Sequence, residues 1–407
     1  MLEKLRNIVL NGDHIPALNA LRQKGLQAFA GLPSNKDETF KYTAVANVLT
    51  DDMLVNSSVK CSEEACHCRE KNFPFDAYEL HFCNGKLHEH FHPIDGIEIS
   101  SLLDAIASHE VSKYVNQFDI SKYPFAALNT AYLEQGLFIR VSKILDKPLA
   151  LIYHNHEQGF KNVRNIIVVE KDAGVELIEL YHGEHCSYFI NIVNEIYVSK
   201  NAFLKHYKIQ NEYLKSVHIS LSHVQLKSNA TYSSFTAHKG SLLARNETHL
   251  LLTRENARAL VNAAYLIKDS SLIDTTTDVE HLSKNTFSNQ IVRGVIDADA
   301  TGVFQGKIHI APNAVQTEGH QIHKALLLSD AAKIDVKPEL EIFADDVKCS
   351  HGATSGDLDG NEIFYLQSRG ISQKDARQIL SNAFLYSAFE DIDNTDIKKF
   401  FEEFILE

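Results

Sequence analysis

Cys349, Ser350 and His351 place a thiol and an imidazole two residues apart. On a strand, residues i and i+2 project to the same side, so this pair could present two ligands to one metal. Iron accepts both donors, and a mixed Cys/His set suits a labile or transferable cluster. Two ligands do not complete a site, so further donors must come from elsewhere in the chain or from a second subunit. The plain structural alternative is a buried cysteine beside a hydrogen-bonded histidine.

Cys61, Cys66, His67 and Cys68 form a denser group, with His81, Cys83, His88, His90 and His92 further along. The group lacks two separated C-x2-C knuckles, and three adjacent ligands cannot all turn inward without a special loop, so a reduced surface loop competes with a zinc site. His81 and Cys83 share one face of an expected strand, which is also how a half-buried strand reads. Gly302 to Lys307 approaches a phosphate-binding loop, but it is one residue short between the glycines and has Ile308 where a magnesium-binding hydroxyl belongs. No G-x-S-x-G elbow or paired-carboxylate spacing is present, and His309, His320 and His323 read most simply as hydrogen-bonded strand residues.

The 407 residues carry 40 Lys and Arg against 53 Asp and Glu, a formal charge of -13, with no basic stripe. That argues against nucleic acid and anionic membranes as partners and leaves other proteins. The opening apolar run is broken by Asn11, Gly12 and Asp13, no later stretch approaches a membrane span, and the expected compartment is the cytoplasm. There the six cysteines stay reduced, which favours metal or sulfur chemistry over disulfides.

The elements that must position these residues fall into three parts: a mostly helical segment 1–110, a strand-rich body 111–355 and a helical segment 356–407. In the first, Pro16 suits a first helical turn, Asn84-Gly85 a tight turn after a strand, and residues 99–108 a second helix. In the body, Asp172-Ala173, Asn201-Ala202, Asn229-Ala230 and Asn256-Ala257 recur at spacings of 29, 28 and 27 residues. A period near 28 made of strands and turns is what one coil of a β-solenoid needs, because each coil buries its inward face only by stacking on the next. Asp299-Ala300, Asn313-Ala314 and Asp330-Ala331 are expected to prolong the series; a twisted β-sandwich is the competing architecture. Near the end, Ser372 and Asp375 signal a helix start, and Asn394 or Thr395 caps a last helix with an apolar stripe of Ile397, Phe400, Phe401, Phe404 and Ile405. Such a stripe packs on its own domain, docks a partner, or does both.

The stretch from Asn246 to Arg377 contains Asp274-Thr-Thr-Thr-Asp-Val-Glu-His281, Val303-Phe-Gln-Gly-Lys-Ile308, Leu326-Leu-Leu-Ser329, the run from Lys337 to Thr354 with Cys349 and His351, and Phe364 to Ile371. Through these segments it resembles the SufB/SufD family. Asp37 to Thr43 and Ala127 to Ala131 extend the resemblance over most of the chain, with Phe40 where the family usually has Trp; residues 61–68 match no family motif. The resemblance implies a mainly β fold, a right-handed parallel β-helix flanked by N- and C-terminal helical domains. It implies a non-ATPase scaffold for iron-sulfur cluster assembly with two kinds of partner: a SufB-like subunit facing Cys349 and His351, and a SufC-like ATPase docked on the helices after Arg369. On that reading His351 is a ligand of a transient iron-sulfur cluster at the subunit interface, Cys349 a less central participant, and an isolated chain could pair with a second copy. Coordination needs neutral imidazole, so assembly should weaken in acid. Rival readings are a purely structural subunit with all ligands on SufB, a carbohydrate-active β-helix enzyme, and a zinc protein using residues 61–92.

Overall fold

The structure, a computed structural model, describes residue 12 and residues 14–55, 72–88, 93–183 and 185–406. The Cys61, Cys66, His67 and Cys68 group, with His90 and His92, lies outside the described residues.

Strands of about ten residues dominate, each bounded by a short turn, and successive strands enter two sheets alternately. One sheet has ten strands and the other nine. Apart from the first pairings all neighbours are parallel, and the pairing joins each strand to the next but one in sequence. Phe203 therefore faces Thr231, then Arg258, Phe287, Glu318 and Lys348, steps of 28, 27, 29, 31 and 30 residues. This is a parallel β-solenoid of about eight coils, and it excludes the sandwich. Alternate side chains point into the coil, where Val175, Leu204, Tyr232 and Ala259 stack at one level and Phe82, Tyr153 and Tyr181 form a ring stack with centroids 4.6 Å apart.

The repeated turn has a physical cause. Asp172, Asn201, Asn229 and Asn256 all hold φ near +60°, a conformation that Asn and Asp tolerate better than other side chains. Asn201 Nδ2 donates to Asp172 Oδ1 at 2.8 Å, Asn229 to Asn201 at 2.9 Å and Asn256 to Asn229 at 3.0 Å, a ladder along one edge. The alanine that follows each is buried in the axial core. The expected continuation is corrected: the left-handed position passes to Asn285, Gln316 and Asp346, followed by Thr286, Thr317 and Val347. Asp299-Ala300 and Asp330-Ala331 lie in turns at the opposite edge, and Asn313-Ala314 sits three residues upstream of Gln316-Thr317 within its turn.

The sheets begin inside the segment 1–110. Tyr78–Cys83 pairs parallel with Leu149–Asn155 and antiparallel with Lys86–Leu87 across Asn84-Gly85, both at positive φ; Ile97–Ser101 pairs antiparallel with Leu137–Val141. The expected helix 99–108 is thus strand to Ser101, which caps α2 (Leu102–Ala107) by accepting from Asp104 N. Helix α1 (Pro16–Ala28), opened by its proline, meets α3 (Pro124–Ala131), and α3 covers the outer face of the nine-stranded sheet. Beneath this layer Arg164 and Glu195, both fully buried, pair at 2.6 Å. The chain ends in α4 (Gly360–Ser368), α5 (Gln373–Tyr386) and α6 (Thr395–Leu406). Ser372 caps α5, and Asn394 rather than Thr395 caps α6. Ile397, Phe401 and Ile405 pack with Phe389 onto Tyr207, Phe235 and Ala264 on the outside of the ten-stranded sheet. No helix among the described residues is long and apolar enough to cross a membrane.

Candidate functional site

Cys349 and His351 lie on the last strand, Lys348–Gly356. Cys349 is in register with Gly319 and His351 with Gln321, both inward-facing and buried, so the thiol and imidazole share the axial face as the two-residue spacing requires. Among the described residues no further coil closes this end. Cys349 is half-buried over Ile308, Ile310 and Ala314, and His351 is exposed. Burial pushes the Cys349 thiol above its ordinary value, while a bond at the Gly319 backbone opposes the shift. The thiol therefore rests protonated, and a metal must displace that proton to bind.

Across the coil, Lys333–Ile342 presents Ile334, Val336, Pro338 and Leu340 on its inward positions, all half-buried. Both last strands are hydrogen-bonded on one side only. The end is thus a pair of open parallel edges around an uncovered apolar core, with a thiol and an imidazole beside it. Unpaired edges of this kind are templates for another strand pair.

His309, His320 and His323 behave as structural residues. His309 bonds Glu341 at 3.1 Å, His320 bonds Ser350 Oγ at 2.8 Å and His323 pairs with the Tyr265 hydroxyl at 2.9 Å. Gly302 to Lys307 lie within the strand Thr301–Ile310, so no phosphate loop exists there. His81 and Cys83 occupy the outward face of their strand, His81 against His154 at 3.4 Å and Cys83 with its sulfur 3.9 Å from His156 Nε2.

A profile for the "SUF system FeS cluster assembly, SufBD core domain" matches residues 152–384, and one for the "SufBD protein N-terminal region" matches residues 4–151. The chain belongs to the SufB/SufD family. It is 29% identical over 384 residues to the iron-sulfur cluster assembly protein SufD of Escherichia coli, covering 91% of this chain and 87% of that one. An iron-sulfur cluster assembly SufBD family protein of Synechocystis is 27% identical, covering 89% and 84%. The SufB protein of Bacillus subtilis is 25% identical over 271 residues, covering 64% of this chain and 57% of that one. This is a SufD-like iron-sulfur cluster assembly protein.

The segments that carry the SufB/SufD resemblance converge in space. Thr43 donates to Asp274, which also pairs with Arg245; Gln305 Nε2 donates to the Thr39 carbonyl at 3.1 Å, and Lys337 bonds Glu38 at 2.7 Å. Thr39, Gln305 and Lys337, with Tyr123, Asp278 and Lys307, line a cavity of about 220 Å³ between the N-terminal layer and the nine-stranded sheet. Sequence reasoning missed this meeting, as it missed a polar stretch of the axial core. There Glu179 accepts from Asn194 at 2.9 Å, bonds His206 at 3.0 Å and lies 3.6 Å from Lys208. Burial opposes charge on both partners and holds Lys208 below its ordinary value; at Glu179 the neighbouring Lys208 ammonium, together with His206 and the Asn194 bond, outweighs burial and brings it down to about 2. Polar residues at inward positions were the available signal, readable only with the coil register in hand.

Proposed function

We propose that this chain is a non-ATPase scaffold subunit whose open coil stacks on a SufB-like partner, with His351 lending a ligand to a nascent iron-sulfur cluster at that junction and Cys349 assisting. The cluster is cargo, assembled and passed on, so an incomplete donor set on one subunit is what the role requires. The observation that carries the reading is the pairing of two ligand types with two unpaired edges on the same uncovered coil. In the absence of SufB the same edges favour a second copy of the chain.

A SufC-like ATPase fits the C-terminal helices. Helix α4 buries none of its residues, and it exposes Phe364 and Tyr365 at 72% and 58%. Surface aromatics of this size, with Ile379 also exposed on α5, suit a protein partner. ATP-driven movement of that partner would pull on α4, which follows the ligand strand after three residues.

His351→Ala is expected to abolish iron and sulfide incorporation by the co-purified complex while leaving its subunit composition unchanged. Full cluster yield in that variant would refute the ligand role. In the alternative reading all ligands lie on SufB and this chain only positions it. A Cys349→Ser, His351→Ala double variant of full activity would establish that alternative.

A further inference from the structure

A second group of ligand-type side chains stands on the outer face of the nine-stranded sheet. His249 and Asp278 are register partners on adjacent coils, and Glu280 follows Asp278 on the same face. One ligand atom from each lies within 4.8 Å of the others, with His249 Nε2 2.8 Å from Glu280 Oε1. Two donors at that separation can each sit about 2.1 Å from a common ion.

The simplest account is a hydrogen-bonded His-Glu pair with an aspartate nearby, and that account leaves three things unexplained. Asp278 Oδ1 is buried with no hydrogen-bond partner, although Lys307 is its register neighbour. Lys307 turns instead to Glu341 at 3.0 Å. Beside the cluster, His223 is fully buried with both ring nitrogens unpartnered, its centroid 4.9 Å from that of His249 and 4.4 Å from that of Phe118. A buried carboxylate oxygen and buried imidazole nitrogens without partners are costly, and a bound cation supplies what the carboxylate lacks.

We propose that His249, Asp278 and Glu280 hold a divalent transition-metal ion, with its open coordination positions facing the cavity that Asp278 lines. One imidazole and two carboxylates suit zinc, ferrous iron or manganese; an imidazole donor selects against magnesium and calcium. The strand backbones fix the ligands in place, since His249 and Asp278 are joined by the sheet ladder itself. Other charges facing the site are Glu247, tied to Arg245, and Lys307 and His309, both tied to Glu341; Lys122 and Tyr123 line the cavity from the N-terminal layer. The site uses no thiol and stands apart from the roles of Cys349 and His351.

The test is an anaerobic Co²⁺ titration of the chelator-stripped full chain, followed by visible absorption. The parent should bind one equivalent with the spectrum of nitrogen and oxygen ligands. Asp278→Asn, Glu280→Gln and His249→Ala should each weaken that equivalent about 10- to 100-fold or more, and Cys349→Ser with His351→Ala should leave it in place. Without metal, Asp278→Asn is expected to melt at or above the parent, because it removes an unpaired buried charge; lost binding in a folded variant then reports the site alone. Unchanged Co²⁺ affinity in Asp278→Asn, or a parent showing only thiolate-to-cobalt bands, would overturn the proposal.

Discussion

Arg245 has no exposed side-chain surface, yet it links three parts of the chain. Its guanidinium pairs with Asp274, reaches Glu247 at 3.1 Å and lies 4.3 Å from the centre of the Phe40 ring. Desolvation is more than offset by these carboxylates, which hold its pKa above the usual arginine value. Arg245→Ala would strand Asp274 as a buried charge and is expected to cost roughly 3–5 kcal/mol. The loss should appear as a lower melting temperature and faster backbone hydrogen exchange at residues 37–43; unchanged exchange there would show that Phe40 and Thr43 are held by other means. At this scale the sequence was informative where the spacing was local. The two-residue interval between Cys349 and His351 was enough, because a strand fixes which side chains share a face. His249 and Asp278 are 29 residues apart, and only the length of one coil brings them together.

The coil itself was legible through its turns. A left-handed residue is needed once per coil, few side chains accept that conformation, and the alanine after it must fit a crowded corner, so Asp or Asn before Ala recurs. The signal failed after Asn256 because threonine fills the same corner: Thr286 and Thr317 are buried and hydrogen-bond each other at 2.9 Å. Asn229 stands mid-ladder, donating to Asn201 and accepting from Asn256. Asn229→Val should destabilise by roughly 1–3 kcal/mol, since a β-branched residue is strained there. Asn229→Gly, which loses the ladder and keeps the backbone, should cost less. Equal melting temperatures for the two would show that backbone strain at this corner is negligible. The first strands were harder to place, since Ile97–Ser101 runs directly into α2 and helix periodicity extends back over it.

Across the whole molecule, burial of imidazoles sets the response to acid. Desolvation holds His223, His238 and His281 down to about 3 and His323 to about 4, against an ordinary value of 6.5. The unfolded chain takes up protons below pH 6.5 that the folded chain refuses, so this stability is complete above 6.5 and is lost as pH falls towards 3 to 4. Each group contributes about 1 kcal/mol of loss between pH 6 and 5. Glu179, held down to about 2, adds a loss in the same direction below about 4.5. Melting temperatures should fall steadily from pH 7 to 5, and a flat profile would mean that these rings gain protons without unfolding. The polar axial core behind part of this response is invisible to any measure of overall composition, because its members are scattered through six strands.

The two ends of the solenoid are unlike. At the start, a two-residue hairpin arm and an antiparallel strand terminate the sheets; at the finish, two long parallel edges stand bare. Among the described residues the bare finish is the one extensive template this chain offers, so two copies joined through it would form a finite pair with blunt outer ends, and geometry alone would block head-to-tail fibre growth.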